Sequence, residues 1–240
     1  KDRLEKSDIK SINLIVDITN YILLEQGQPL HAFDLEKLTN LVGREVVPED
    51  FGVRKAKKGE ILKGLDGIKY ELNNNSVVIV CSDKPIAIAG VIGGYETAVT
   101  EETSSIVLEG AVFNPSIIRK SSREIGLRTE SSSRYEKGIS FENTLNSLSR
   151  AIYITNKYFK DSKHNIYSSK NIIKQKSLIK LRRERIHKIL GPIRSESIDE
   201  CAKSLFLKRN LYDKEIVDKL ELIGSKLQKR DYGWDVEVIP

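Results

Sequence analysis

Between residues 42 and 113 the sequence breaks into short β-type runs set apart by turn residues, and on both sides of that block it returns to helical spacing. Strand and helix periods cannot share one apolar face, so the alternation restricts the fold to strand and helix regions packed together, an α+β arrangement. Residues 61–65 and 68–72 flank Asp66-Gly67 as the arms of a hairpin would. Residues 76–81 and 85–89 are compact runs around Ser82-Asp83-Lys84, and residues 105–113 form another.

Helix signals bracket that block. Residues 17–26 predict a helix capped by Asp17, with Ile18, Tyr21 and Ile22 as its apolar stripe and Gly27 as its stop. Asn114-Pro115 opens a second helix, to about residue 124, with proline where a first turn accepts it. Ser140 caps a third, to about residue 159, with Leu145, Leu148, Ile152 and Thr155 along one face. Residues 160–176 are polar and aperiodic and read as a linker. Beyond it come a strand at 177–181 and a helix at 183–190 stopped by Gly191-Pro192. Ser197 and Glu200 follow at capping-box spacing, then a helix at 213–223, and 226–229 with 234–239 as a hairpin.

The domain reading is therefore residues 1–165 as a mixed-strand α+β domain with flanking helices, then residues 177–240 as a small winged-helix-like domain that breaks off incomplete. The chain starts at Lys1 and contains no methionine, so a fragment of a longer product is expected.

Composition narrows the function classes without choosing one. Hydrophobic residues make up 39% and charged residues 31%, ordinary for a globular chain and contrary to disorder. No run approaches the roughly 20 apolar residues of a membrane span. Cys81 and Cys201 lie too far apart for a metal knuckle or disulfide framework, which makes a reducing, cytoplasmic setting the default. The formal net charge of +6 is compatible with an RNA partner and equally with none.

Three segments carry a resemblance. They are VDITNYILLEQGQPLHAFDLEKL at 16–38, the run from Leu65 through IAIAGVIGGYETAVTEETSSIVLEGAVF to Phe113, and GLRTESSSRYEKGIS at 126–140. In this order they closely resemble the central editing module of the bacterial phenylalanyl-tRNA synthetase β subunit, over roughly residues 3–160. IKLRRERIHKILG at 179–191 and the final LELIGSKLQ…WDVEVIP are similar to the small domain that follows that module. The chain departs from the family pattern near residues 39–52 and 206–215, where it looks longer.

The resemblance implies site residues. A threonine–asparagine pair maps onto Thr19 and Asn20, a proline and histidine onto Pro29 and His31, a small-residue loop onto Ala89, Gly90 and Gly93, and a strand glutamate onto Glu109. Thr19, Asn20 and His31 would serve catalysis, and the others would line the editing pocket. Every position keeps the family's residue type. Taken without the family, each has a plainer reading. Glu109 fits an exposed edge-strand charge, AGVIGG fits a tight turn, His31 a structural histidine, and Thr19 and Asn20 local hydrogen bonding at a helix start. The chemistry that needs such a site is clear. An apolar phenylalanine pocket rejects an isostere with an added hydroxyl by only about a hundredfold, so a second site must recognise tyrosine's hydroxyl positively. A carboxylate can accept that hydrogen bond.

The implied reaction is hydrolysis of the ester joining tyrosine to tRNA(Phe), by a positioned water. No Ser–His–Asp spacing or zinc cluster supports a nucleophilic or metal route. The family pairs this subunit with a catalytic α subunit in an α2β2 enzyme. ATP and Mg2+ serve aminoacylation there, and no cofactor is expected in these residues. Two basic regions, around Arg119–Lys137 and Lys180–Lys188, read either as phosphate contacts or as solvated helix faces. The rival reading is a non-catalytic tRNA-binding or scaffolding region of the same subunit, its pocket residues remnants.

Overall fold

The computed structural model describes residues 1–160, 162–168, 178–190, 193–194 and 211–237. It divides into two compact units, Lys1–Tyr167 and Ser168–Pro240, and mixes helices with several mostly antiparallel sheets.

In the first unit a short helix α1 (Asp2–Glu5) precedes α2 (Leu14–Gln26). α2 starts three residues earlier than the sequence suggests. Asn13 is its cap, accepting a hydrogen bond from the Val16 backbone N–H at 2.9 Å. Asp17 sits inside the first turn and instead accepts from Ser11 Oγ and the Ile12 N–H, fastening the incoming chain. Gly27 ends the helix in the left-handed region at φ 70°, as a C-cap glycine does.

Strand β1 (Leu30–Asp34) and helix α3 (Leu35–Val42) follow, joined through Asp34, whose carboxylate caps α3 at the Lys37 N–H. Five strands then come in close succession: β2 (Phe51–Lys55), β3 (Ile61–Lys63), β4 (Lys69–Glu71), β5 (Val77–Cys81) and β6 (Lys84–Ile88). β3 and β4 pair around the Asp66-Gly67 turn. The two-residue turn between β5 and β6 places Ser82 and Asp83 at positive φ, the geometry that matches strand twist. Two-residue β7 (Ile92–Gly93) completes an antiparallel sheet of order β2-β5-β6-β7.

β5 is the spine of this unit. Val78 and Val80 enter one core with Ile88, Ile118 and Tyr135, while Ile79 and Cys81 enter another with Phe33, Leu38 and Ile86. Alternate residues of one strand thus feed two hydrophobic clusters, which explains its unbroken apolar sequence. β8 (Ile106–Gly110) pairs antiparallel with β1 as a separate two-stranded ribbon. Helices α4 (Pro115–Glu124), α5 (Glu130–Tyr135) and α6 (Phe141–Tyr158) close the unit.

The buried face of α6 differs from the expected Leu145 stripe. Leu145 is 46% exposed, and Thr144, Ser147 and Ala151 face inward. The reason is polar. Thr144 Oγ1 donates to Gln28 Oε1 at 2.8 Å and Ser147 Oγ to Gln26 Oε1, so small hydroxyl residues bring α6 close to the end of α2.

The second unit has β9 (Ile179–Arg182), α7 (Arg183–Leu190), β10 (Ile193–Arg194), β11 (Leu211–Tyr212), α8 (Asp213–Leu222), β12 (Lys226–Arg230) and β13 (Gly233–Glu237). β12, β13 and β9 form an antiparallel sheet in that order, over a core of Ile186, Ile216, Trp234 and Val236. β10 and β11 pair in parallel. The Ser197–Glu200 capping box and Cys201 lie outside the described residues. No helix among those described is long and apolar enough to cross a membrane.

Candidate functional site

The β1–β8 ribbon has two unlike faces, and the site lies on one of them. Opposed residues of an antiparallel pair share a face, so His31 and Glu109, in direct register, stand side by side, with Phe33 and Val107 one step along. The other face, through Leu30 and Leu108, packs on Ile18, Ile22 and Ala151 of α2 and α6. Gly110 lies on that second face because Leu148 fills the space where its Cβ would be.

His31 packs edge-on against the buried Phe33 ring at a centroid distance of 4.5 Å. Its Nε2 is buried without a hydrogen-bond partner. Gly93 crosses directly above it, and a Cβ at Gly93 would strike His31 Cε1 and Nε2 and come within 3.2 Å of Leu65 Cδ1. Gly93 is held there by its pairing with Ala87 and by its carbonyl, which accepts from the Leu65 N–H at 3.0 Å. Close approach is therefore the reason for glycine at this position.

Electrostatics set the two residues apart. Burial pushes the Glu109 carboxyl up to about 7 and His31 down to about 4, since a surrounding of protein disfavours either charge. Both side chains are half-buried, so solvent at their exposed edges softens these shifts without reversing them. At neutral pH the imidazole is uncharged, and the carboxyl is divided between its two forms. No hydrogen bond or ion pair joins the two among the described residues.

The turn between β6 and β7 carries Ala89 and Gly90. Gly90 has φ 67°, and a Cβ there would crowd Tyr135, Ile118 and Phe113 at 3.0–3.1 Å. AGVIGG forms a tight hairpin turn, and Gly93 within it lies on His31. Thr129 Oγ1 ties this turn to the cap of α5 by donating to the Val91 carbonyl at 2.9 Å.

Behind the turn lies a polar network that the sequence did not announce. Gln28 is wholly buried, and its Nε2 donates to the carbonyls of Pro29 at 3.0 Å and Ala111 at 3.3 Å. Tyr135 donates its hydroxyl to the same Pro29 carbonyl at 3.3 Å. Burial first, and then the nearby Glu109 charge, push that hydroxyl's pKa up, keeping it a neutral donor. The network fixes the chain at Pro29, two residues before His31. Gln28 and Tyr135 both stand inside the quoted motifs, and that was the available signal.

Thr19 and Asn20 are placed differently. Thr19 is buried in α2, with Oγ1 donating to the Val16 carbonyl at 2.8 Å, the local bond expected of a helical threonine. Asn20 is half-buried beside it, and no hydrogen bond joins either residue to His31 or Glu109. The structure thus brings together His31, Glu109 and Gly93 directly, and Pro29 and Gly90 through Tyr135.

Comparison with known proteins gives a consistent picture. The family model described as B3/4 domain matches residues 1–160. The phenylalanine–tRNA ligase β subunit of Prochlorococcus marinus strain MIT 9312 is 62% identical over 240 residues, covering 100% of this chain and 29% of that protein. Its counterpart in P. marinus subsp. pastoris is 64% identical over 242 residues, and that of Synechococcus sp. strain CC9605 is 39% identical over 240. The chain spans about 29% of the length of these relatives.

Proposed function

The chain belongs to the B3/4 domain family, in the form carried by phenylalanine–tRNA ligase β subunits, and from that premise we propose that it hydrolyses tyrosine esterified to tRNA(Phe) at the His31–Glu109 pair. The observation that carries the reading is the pairing itself. Two polar side chains stand together on one face, neither hydrogen-bonded among the described residues, and the glycine above His31 leaves room for nothing larger. A buried polar atom without a partner, as His31 Nε2 is, costs about 1–3 kcal/mol, which is unusual for a purely structural position.

Glu109 meets the substrate phenol in this scheme. As carboxylate it accepts the phenol O–H, and as acid it both donates and accepts, so either form distinguishes tyrosine from phenylalanine. His31, neutral, hydrogen-bonds the attacking water or the terminal ribose. Its low pKa makes it a weak base, hence a positioning group. The water oxygen bonds to the ester carbonyl carbon, the bond to the ribose oxygen breaks, and that oxygen recovers a proton. Pro29, Ala89, Gly90 and Gly93 shape the pocket, and Thr19 and Asn20 contribute from α2 at its border.

The wider assignments follow the whole relatives. They are tRNA(Phe) and an α subunit as partners, an α2β2 assembly in the cytoplasm, and ATP with Mg2+ for aminoacylation, to which no residue of this chain is assigned. For the second unit we keep the winged-helix-like reading, on two helices and a β-hairpin.

The test is hydrolysis of tyrosyl-tRNA(Phe) by the full synthetase, wild type beside Glu109→Ala, with phenylalanyl-tRNA(Phe) as control. Selective loss of tyrosyl-ester cleavage with aminoacylation intact is expected. No cleavage by the wild type would favour the scaffold reading.

A further inference from the structure

A concave site lies beside α4 and α5. Arg119, Ser122, Arg123, Leu127, Arg128 and Glu136 line a cavity of about 430 Å³, together with Gly126. Three arginines and a single glutamate thus share its lining. Arg128 pairs with Glu136 Oε1 at 2.9 Å, and Arg119 donates to the Glu136 backbone carbonyl at 3.2 Å. Arg123 has no hydrogen-bond or ion-pair partner among the described residues.

This is not the balanced charge pattern of a solvated helix face. On such a face each arginine finds a carboxylate one turn away, as Arg134 does with Glu130 on α5. Here the positive charge converges on a hollow. Planar forks of N–H donors in excess over carboxylates match phosphate oxygens, which arginine binds through paired hydrogen bonds. The hollow also adjoins the candidate site along the chain: Tyr135 packs against Phe113 and touches the Gly90 turn, and the next residue, Glu136, faces the arginines.

We infer that Arg119, Arg123 and Arg128 form a phosphate pocket for the RNA backbone whose ester end reaches the His31–Glu109 pair, with Glu136 as the internal counter-ion that the phosphate replaces. The inference rests on the editing reading for what the RNA carries, and on the arginine geometry for where its backbone goes. Arg128 exchanges Glu136 for a phosphate oxygen when RNA binds. Arg123, unpaired beforehand, loses no protein contact in doing the same. Glu136 lowers affinity by its charge while keeping the empty pocket from a +3 cluster.

The test compares two substrates in the full-length protein: tyrosyl-tRNA(Phe), and 3′-O-tyrosyl-adenosine, which has no phosphodiester. Arg123→Ala should raise KM for the tRNA roughly three- to thirtyfold at unchanged kcat, as expected for one lost charge-assisted contact. The salt dependence of tRNA affinity should also flatten by about 0.7–0.9 in log–log slope. Cleavage of the small ester should not change. Glu136→Gln should act in the opposite direction, lowering KM for the tRNA alone. An unaltered KM in Arg123→Ala, or equal slowing of both substrates, would overturn the pocket. Cleavage of neither ester by the wild type would overturn the editing reading instead. The pocket would then be decided by salt-dependent tRNA binding, wild type beside Arg123→Ala, which needs no hydrolysis.

Discussion

His31 and Glu109 face each other directly across the β1–β8 pair, and burial moves their protonation in opposite directions, His31 down to about 4 and Glu109 up to about 7. The consequence for stability has a definite sign. A carboxyl held above its ordinary 4.5 contributes stability that is complete below that value and is lost as pH rises through about 7. A histidine held below 6.5 contributes stability present above that value and lost as pH falls through about 4. Glu109→Gln removes the first dependence. The variant should match the wild type near pH 4 and exceed it near pH 8 by about 1–3 kcal/mol, the lower figure if solvent screens the charge well. Thermal melts at the two pH values read this directly, and an equal gap at both would mean Glu109 is not in a sheltered position.

Gly93 and His31 are coupled by space alone, since Gly93 does not have positive φ and any residue can adopt its backbone. Gly93→Ala places a methyl on the imidazole and should destabilise by about 1–3 kcal/mol while abolishing tyrosyl-ester cleavage. In a His31→Ala background the same methyl has room, and most of the stability loss should vanish. A double-mutant cycle in urea measures the coupling. Additive losses would place the imidazole elsewhere.

Much of this layout was legible, for identifiable reasons. Asn114-Pro115 starts α4 where it should, and Asp66-Gly67 turns β3 into β4, because caps and turns are local chemistry. The candidate residues came from resemblance, and the register that sets His31 opposite Glu109 joins segments with most of a domain between them. No local signal encodes such a pairing. The start of α2 was misplaced because Asp17 is as good a cap as Asn13 in sequence, and only the fold shows it gripping Ser11 and Ile12. The inward face of α6 was hidden because hydroxyls bonded to Gln26 and Gln28 replace the usual leucines. Gln28 itself reads as loop polarity until its complete burial is seen.

Thr19 and Asn20 divide by a simple experiment. Thr19 Oγ1 is already bonded to its own helix, so Thr19→Val should change stability by less than about 1 kcal/mol, within the range of one local hydrogen bond. Asn20 has no such bond among the described residues. Asn20→Ala should leave the melting curve in place and still slow tyrosyl-ester hydrolysis, about tenfold if it donates one hydrogen bond to the bound substrate. Unchanged hydrolysis would confine the site to the other face of the ribbon, around His31 and Glu109.

The Gln28–Tyr135 network predicts an ordering of losses. Tyr135→Phe removes one donor from the Pro29 carbonyl, which still accepts from Gln28, so it should cost about 0.5–1.5 kcal/mol. Gln28→Ala leaves the Ala111 carbonyl without its partner in a closed interior, shifts Thr144 wholly onto the Ser140 carbonyl, and opens a cavity as well. It should cost about 2–5 kcal/mol. The two also differ at the site. Gln28 anchors the chain two residues before His31 from both β8 and α6, so its loss should displace the imidazole and lower kcat for tyrosyl-ester hydrolysis. Tyr135→Phe should keep most of it. Denaturant midpoints and single-turnover rates on the two variants check the ordering. A Tyr135→Phe loss equal to that of Gln28→Ala would mean that Tyr135, not Gln28, holds Pro29 in place.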